Sequence, residues 1–360
     1  MRRGLLAWSE EETPKAALEA RVARMQAAMK AEGVDALLAY TNFPRPAAVS
    51  YLTHFIPYWN QGLMVMGQTG LPSIVVALSN RVRGWALETC HVDDVVCSPQ
   101  IGASAAKVVQ GYGAVKKIGV VDADRLPNGL ANPFRQAFSG VELHDATDLY
   151  MSARSPADKP EVELTRRAAE IADDSIDVAR TGKFTRASAL ISAIDGSARD
   201  KAAEEVAIAV VPDLSKSTDF VRVEGDADLG QHYAVRATVA YKGFWIRRTA
   251  TLSQGEAPES WADAAARLRT VEAELGTGSD IASKMNGFKQ WAAVGPLGGH
   301  PLADLVGSDW AGSNGTHRKI GAGSIVSLSL RIDTHDGPWL GGGPVLLAAK
   351  AGQSSEILFA

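Results

Sequence analysis

Apolar residues first recur along the chain with a helical period. Leu18, Val22, Met25 and Met29 stand four, three and four residues apart, the stripe of one helix face, and Gly33 closes the stretch. Short apolar runs bounded by turn residues follow: Ala36 to Tyr40, Leu63 to Met66, Ser73 to Leu78 and Lys117 to Val121. Their length is that of strands rather than helices. Alternating with helical stretches, they predict an α/β layered domain at the N-terminal end.

A boundary is expected at Ser152-Ala153-Arg154-Ser155-Pro156, and Pro160 suits the first turn of a helix. Leu164, Ala168, Ile171 and Val178 then share one helical face, and a second helical stretch is predicted from Arg186 to Ile208. From Tyr233 to Leu252 the period changes to that of strands, rich in Val, Thr, Tyr, Phe and Trp. Lys242-Gly243 interrupts this run and predicts two strands around a tight turn. A helix over Ser260 to Leu275, a Gly-rich stretch at Gly295 to Gly299, and strands near Ser324 to Ile332 and Pro344 to Lys350 complete the pattern.

The 360 residues give two domains at roughly 150 residues each. A 46% hydrophobic and 22% charged composition is that of an ordinary globular chain. A net charge of −4 is too balanced for a nucleic-acid binder, and no apolar run is long enough to span a membrane. The start, Met1-Arg2-Arg3-Gly4, runs into acidic Glu10 to Glu12 without a signal-peptide core, so a cytoplasmic location is expected. Cys90 and Cys97 match no disulfide framework, zinc motif or redox motif.

Several phrases in a shared order resemble the pita-bread group that includes creatinase, prolidase and aminopeptidase P. They are the helix from Arg21 leading into Gly33-Val34-Asp35-Ala36-Leu37-Leu38, and Tyr51-Leu52-Thr53. The others are Lys159-Pro160-Glu161-Val162-Glu163-Leu164, Tyr241-Lys242-Gly243-Phe244 and the closing Gly352. The resemblance implies an α+β fold, with an N-terminal α/β creatinase-like domain over residues 1–153 and a C-terminal pita-bread domain over 154–360. The peptidases of that group bind two metal ions through two Asp, one His and two Glu. The positions matching those ligands here are Arg236, Arg247, Pro296, Ser329 and Gly343. A guanidinium has no lone pair to give a metal, so the resemblance implies a member without the dinuclear centre and with no cofactor. Creatinase itself is metal-free and relies on a histidine seventeen residues before the first Asp position; that count reaches Asp219 here. In the creatinase dimer the partner's first domain reaches into the site, and the matching residues are Tyr58, Trp59 and Asn60.

Two arginines sharing a cavity repel and need counter-charges or an anionic ligand, so Arg236 and Arg247 are read either as a bidentate grip on a small anion or as structural ion pairs. By strand alternation Trp245 points with Arg247, while Ile246 and Arg248 point the other way. His300, beside the Gly-rich stretch, is either an acid–base group or a structural loop residue; His335, in Asp333-Thr334-His335-Asp336, either a dyad member or part of a polar turn; His232 adjoins a strand. The Gly341-Gly342-Gly343-Pro344 run opens no helix and is read as a turn rather than a nucleotide loop.

The first expectation is a metal-independent enzyme that hydrolyses or eliminates at a C–N or neighbouring bond of a small anionic substrate. Asp219 or His300 would move the proton, Arg236 and Arg247 would hold the substrate, and Ser329, Trp245 and His335 would line the pocket. Tyr58, Trp59 and Asn60 would close it across a homodimer. The alternative is an inactive relative that binds a ligand or supports a paralogous subunit in a heterodimer. A displaced metal site drawn from His300, His317, His335, Asp333 and Asp336 is a third reading, without a justified spacing.

Overall fold

The computed structural model describes residues 8–43, 45–57, 60–220, 225–276, 281–285, 287–297 and 320–359. The chain divides into two units between Ser155 and Pro156.

The first unit begins with α1 (Lys15–Ala31), which buries Leu18, Val22, Met25 and Met29, the stripe read from the sequence. It continues through β1 (Ala36–Asn42), α2 (Ala47–Thr53), β2 (Gln61–Gly67), β3 (Ser73–Val76), α3 (Arg83–Glu88), β4 (Val95–Cys97), α4 (Ile101–Gln110), β5 (Ile118–Val121), α5 (Asn128–Ala137), β6 (Leu143–Asp145) and α6 (Thr147–Arg154). The six strands form one mixed sheet in the order β4-β3-β2-β1-β5-β6. Its inner strands read as continuous apolar runs because both faces are covered. Arg21 is buried, donating to the Tyr51 carbonyl at 2.8 Å and lying 4.5 Å from the centre of the Tyr51 ring.

The second unit opens with α7 (Lys159–Thr181), capped by Asp158, whose side chain accepts from the Glu161 N–H, with Pro160 in the first turn. Then come α8 (Ala187–Asp200), β7 (Glu205–Val211), β8 (His232–Tyr241), β9 (Phe244–Ser253), α9 (Ser260–Glu274), α10 (Ile281–Lys284), β10 (Trp291–Val294), β11 (Ile325–Thr334), β12 (Gly337–Gly341), β13 (Pro344–Leu346) and β14 (Glu356–Ile357). Strands β7, β8 and β9 form one antiparallel sheet; β10, β11, β13 and β14 form a second, with β12 paired to β11. Lys242 and Gly243 both have positive φ, 50° and 80°, which is the two-residue turn that lets the β8–β9 hairpin keep its twist.

One expectation is corrected. The helix predicted to reach Ile208 stops at Asp200, and Glu205–Val211 is a strand. Ala202 takes a left-handed φ of 75° and turns the chain, after which Val206, Ile208 and Val210 pair with β8. The β-branched residues there fit a pleated surface better than a helix.

Candidate functional site

The β8–β9 register sets Arg236 opposite Thr249 and Arg247 opposite Thr238. All four therefore share one face of the hairpin, with the two arginines at diagonal positions. The opposite face carries Val235, Ala237, Val239, Ile246 and Ala250, which pack with Ile171, Ile176, Leu190 and Ile194 of α7 and α8. That apolar half fixes the hairpin's orientation, so the arginine face is turned toward the second sheet. Contacts across the two sheets confirm this. The Thr249 and Ser329 hydroxyls lie 3.0 Å apart, the Arg247 N–H donates to Ser327 Oγ at 3.1 Å, and Thr251 Oγ1 donates to the Leu340 carbonyl at 2.8 Å.

Arg236 and Arg247 are each only 5% exposed, and Ser329 is 3% exposed. The Arg236 guanidinium carbon sits 4.4 Å from the centre of the Phe220 ring. Trp245 is half-buried, opposite Ala240 and on the Arg247 side of the strand. Asp219, beside Phe220, is exposed and accepts from Gln290 Nε2 at 3.3 Å. It is one end of a polar chain in which Arg331 Nη1 donates to Gln290 Oε1 at 3.1 Å and Arg331 Nε to Asp333 Oδ1 at 2.7 Å. Lys289, 2.6 Å from Asp333, and Arg331 hold the Asp333 carboxyl below its ordinary range, against the effect of burial.

Arg248 points to the other face, as alternation requires. Its Nε donates to Asp173 Oδ1 of α7 at 2.6 Å, and its Nη1 donates to the carbonyls of Thr249 and Gly342. Burial holds the guanidinium below its usual range, with Asp173 acting in the opposite sense. The same guanidinium lies 4.2 Å from the centre of the Phe359 ring. Phe359 in turn occupies the direction a side chain at 343 would take: a Cβ on Gly343 would come within 2.4 Å of the ring. Glutamate at that position would require Phe359 to move.

The structure thus brings Arg236, Arg247, Trp245 and Ser329 to one region and carries the Asp219 segment alongside through Phe220. His335 is not brought there. Strand β11 runs on past Ser329 to Thr334, roughly 17 Å at strand rise, and His335 stands in the following turn. Its side chain is 81% exposed and lies 3.1 Å from Asp336 Oδ2. Asn60 uses both ends of its amide within the first unit, donating to the Ala77 carbonyl at 2.6 Å and accepting from the Gln61 N–H at 2.7 Å. Tyr58, Trp59, His300 and His317 lie outside the described residues. Sequence reasoning missed Phe220, Thr238, Thr249 and Ser327; the threonines could have been found by carrying the strand parity across the hairpin.

The two metal ions bound by the peptidases of the group that the sequence resembles do not fit the residues at the positions matched to their ligands. The matching positions present two guanidiniums, a hydroxyl, a glycine packed under Phe359, and Pro296 in a turn after β10. Among the described residues no group of three or more His, Cys, Asp or Glu could hold a metal ion. No helix among them is long and apolar enough to cross a membrane.

Residues 21–155 match the family model of the creatinase/prolidase N-terminal domain. No curated protein matches the sequence. Among solved structures, the chain is similar to the Xaa-Pro dipeptidase from Bacillus anthracis at 15% identity, TM-score 0.66, covering 95% of this chain and 97% of that one. It is similar to the dipeptidase PepE from Mycobacterium ulcerans at 17% identity, TM-score 0.66, covering 96% of each. It is also similar to the prolidase from Pyrococcus horikoshii OT3 at 15% identity, TM-score 0.66, covering 94% of this chain and 98% of that one. Most of the first unit thus matches the creatinase/prolidase N-terminal domain model, and the chain has the α+β pita-bread fold of these similar structures.

Proposed function

We propose that this protein is a metal-independent, creatinase-like enzyme that cleaves a C–N bond of a small carboxylate-bearing substrate, by hydrolysis or elimination. The observation that carries the reading is the pairing of Arg236 and Arg247 on one buried strand face beside Ser329. Two guanidiniums in a low-dielectric pocket raise the affinity for an anion and offer the planar forks that grip a carboxylate in two places. Peptidase chemistry of the kind named for the similar structures is not carried over, because the residues that the resemblance matches to the metal ligands include two arginines and a proline.

In this reading the arginines fix the substrate carboxylate, while Trp245 and Ser329 shape the remainder of the pocket. Asp219, held by Gln290, takes the proton from water or from the substrate carbon and returns it to the leaving nitrogen. His300 is the second candidate for that proton. Tyr58, Trp59 and Asn60 of a second copy close the pocket in a homodimer, and the protein works in the cytoplasm without a cofactor.

The test is turnover of small carboxylates, guanidino acids and related amides by chelator-treated protein. Asp219 is exposed, so Asp219→Asn should keep the melting temperature while cutting kcat at least a hundredfold. A chelator-sensitive activity would overturn the metal-independent reading. Anion binding without turnover would leave a ligand-binding relative in its place.

A further inference from the structure

On the side of the β8–β9 hairpin away from Arg236 and Arg247, one buried guanidinium stands between two carboxylates from different helices. Arg248 gives Nε to Asp173 Oδ1 of α7 at 2.6 Å, and Nη1 to the carbonyls of Thr249 at 2.8 Å and Gly342 at 2.9 Å. The second carboxylate is Glu272 of α9. It is fully buried, and neither of its oxygens makes a hydrogen bond among the described residues. Glu272 and Arg248 attract each other across this interior, so Asp173 and Glu272 act on the same cation.

The other charges around Glu272 reach solvent. Arg269, on the same helix, is exposed, and Arg180 of α7 is exposed and paired with Asp177. Glu356 of β14 is half exposed and paired with Arg166. The packing of α9 on β11 and β12 is apolar, with Leu268 and Leu275 in one cluster with Val326, Leu328, Leu330 and Trp339. Burial in this setting pushes the Glu272 carboxyl up to about 8, with Arg248 and Arg269 acting in the opposite sense.

What Arg248 holds is a joint between the two sheets. The Gly342 carbonyl that receives Nη1 also accepts from the Thr249 N–H at 2.9 Å, and the Gly342 N–H donates back to the Thr249 carbonyl at 3.2 Å. The joint is close-packed: a Cβ on Gly342 would meet the Leu328 carbonyl oxygen at 2.1 Å. Thr249 then reaches the arginine face through its hydroxyl, 3.0 Å from that of Ser329.

We propose that Asp173 and Glu272 compete for Arg248, and that loss of the Glu272 proton draws the guanidinium toward α9 and off the Gly342 carbonyl. With Glu272 protonated, Asp173 holds Nε and Nη1 stays on the two carbonyls. Once Glu272 releases its proton to solvent, two anions share one buried cation, and the guanidinium divides between them. The Gly342–Thr249 joint is the element that reads the change, whatever reaction the neighbouring site performs.

The test is nuclear magnetic resonance of the deuterated full chain, labelled with [15N]glycine and [15N]threonine, between pH 6.5 and 9.5. The Gly342 and Thr249 amide signals should titrate together with a midpoint near 8. Glu272→Gln should leave both signals in place across the range. Asp173→Asn removes the competitor, so its midpoint should fall by about one pH unit or more, with folding checked by melting temperature. Glu272→Gln removes a buried acid without a hydrogen-bond partner and keeps the test open if the Asp173 variant does not fold. Amide signals that do not titrate in the wild type, that titrate alike in Glu272→Gln, or whose midpoint stays or rises in folded Asp173→Asn would overturn the proposal.

Discussion

The guanidinium carbon of Arg236 lies 4.4 Å from the centre of the Phe220 ring, and Phe220 is the residue next to Asp219. One segment therefore carries both the aromatic ring against Arg236 and the carboxylate proposed for proton transfer. A ring in this position orients the guanidinium through its π face.

Phe220→Leu retains an apolar side chain of similar bulk in the cluster with Leu214 and Ala234 but removes the π face. Stability should fall by less than about 1.5 kcal/mol, as for other volume-conserving swaps. Affinity for a small carboxylate should fall roughly three- to tenfold, the size of a partly buried cation–π contact. Calorimetric titration beside urea denaturation separates the two effects.

Asp173 and Arg248 form a buried pair with side chains 12% and 8% exposed. Asp173→Ala leaves the guanidinium without this carboxylate in a low-dielectric setting, and should cost about 3–5 kcal/mol in urea unfolding. The double variant Asp173→Leu with Arg248→Met should recover most of that loss, since it removes both charges together. If the double variant is less stable than Asp173→Ala, the pair is worth more than its desolvation cost.

Glu272 on α9 is fully buried, and neither carboxylate oxygen has a hydrogen-bond partner among the described residues. Burial pushes its carboxyl up to about 8, with Arg248 and Arg269 pulling in the other direction. The folded state then keeps a proton that the unfolded chain releases near the ordinary value of 4.5. Stability should be highest below that value and fall as pH rises toward 8, by on the order of 4 kcal/mol. Glu272→Gln should flatten this part of the pH–stability profile and raise the melting temperature at pH 8. A wild-type profile that rises between pH 5 and 8, with the variant parallel to it, would contradict the assignment.

The hairpin that carries the arginines was legible in the sequence because three local signals agree: β-branched and aromatic content, the Lys242-Gly243 turn, and a parity that sorts Arg247 from Arg248. The α1 stripe was legible for the same reason. What stayed hidden depends on long-range pairing. Glu205–Val211 continues a helical pattern until β8 offers it a partner, and β12 has only five residues, two of them glycine. Arg248 and Asp173 are 75 positions apart, and nothing local announces their contact. The ring of Phe359 over Gly343 is likewise invisible before the chain folds. His335 was drawn into the site by its neighbouring aspartates, yet β11 continues far enough to deliver it to an exposed turn.

The central claim is that Arg236 and Arg247 bind a small anion without a metal. It is tested most directly by thermal melting of chelator-treated protein with small carboxylates, guanidino acids and phosphates, for the wild type, Arg236→Met and Arg247→Met. At a hundredfold excess over Kd a ligand adds about 2.7 kcal/mol, and each kcal/mol raises the melting temperature by roughly 2–4 °C in a unit of this size. One anion class should stabilise the wild type by several degrees, and both variants should lose the shift while remaining folded. An equal shift in the variants, or a shift that appears only when divalent metal is restored, would contradict the claim.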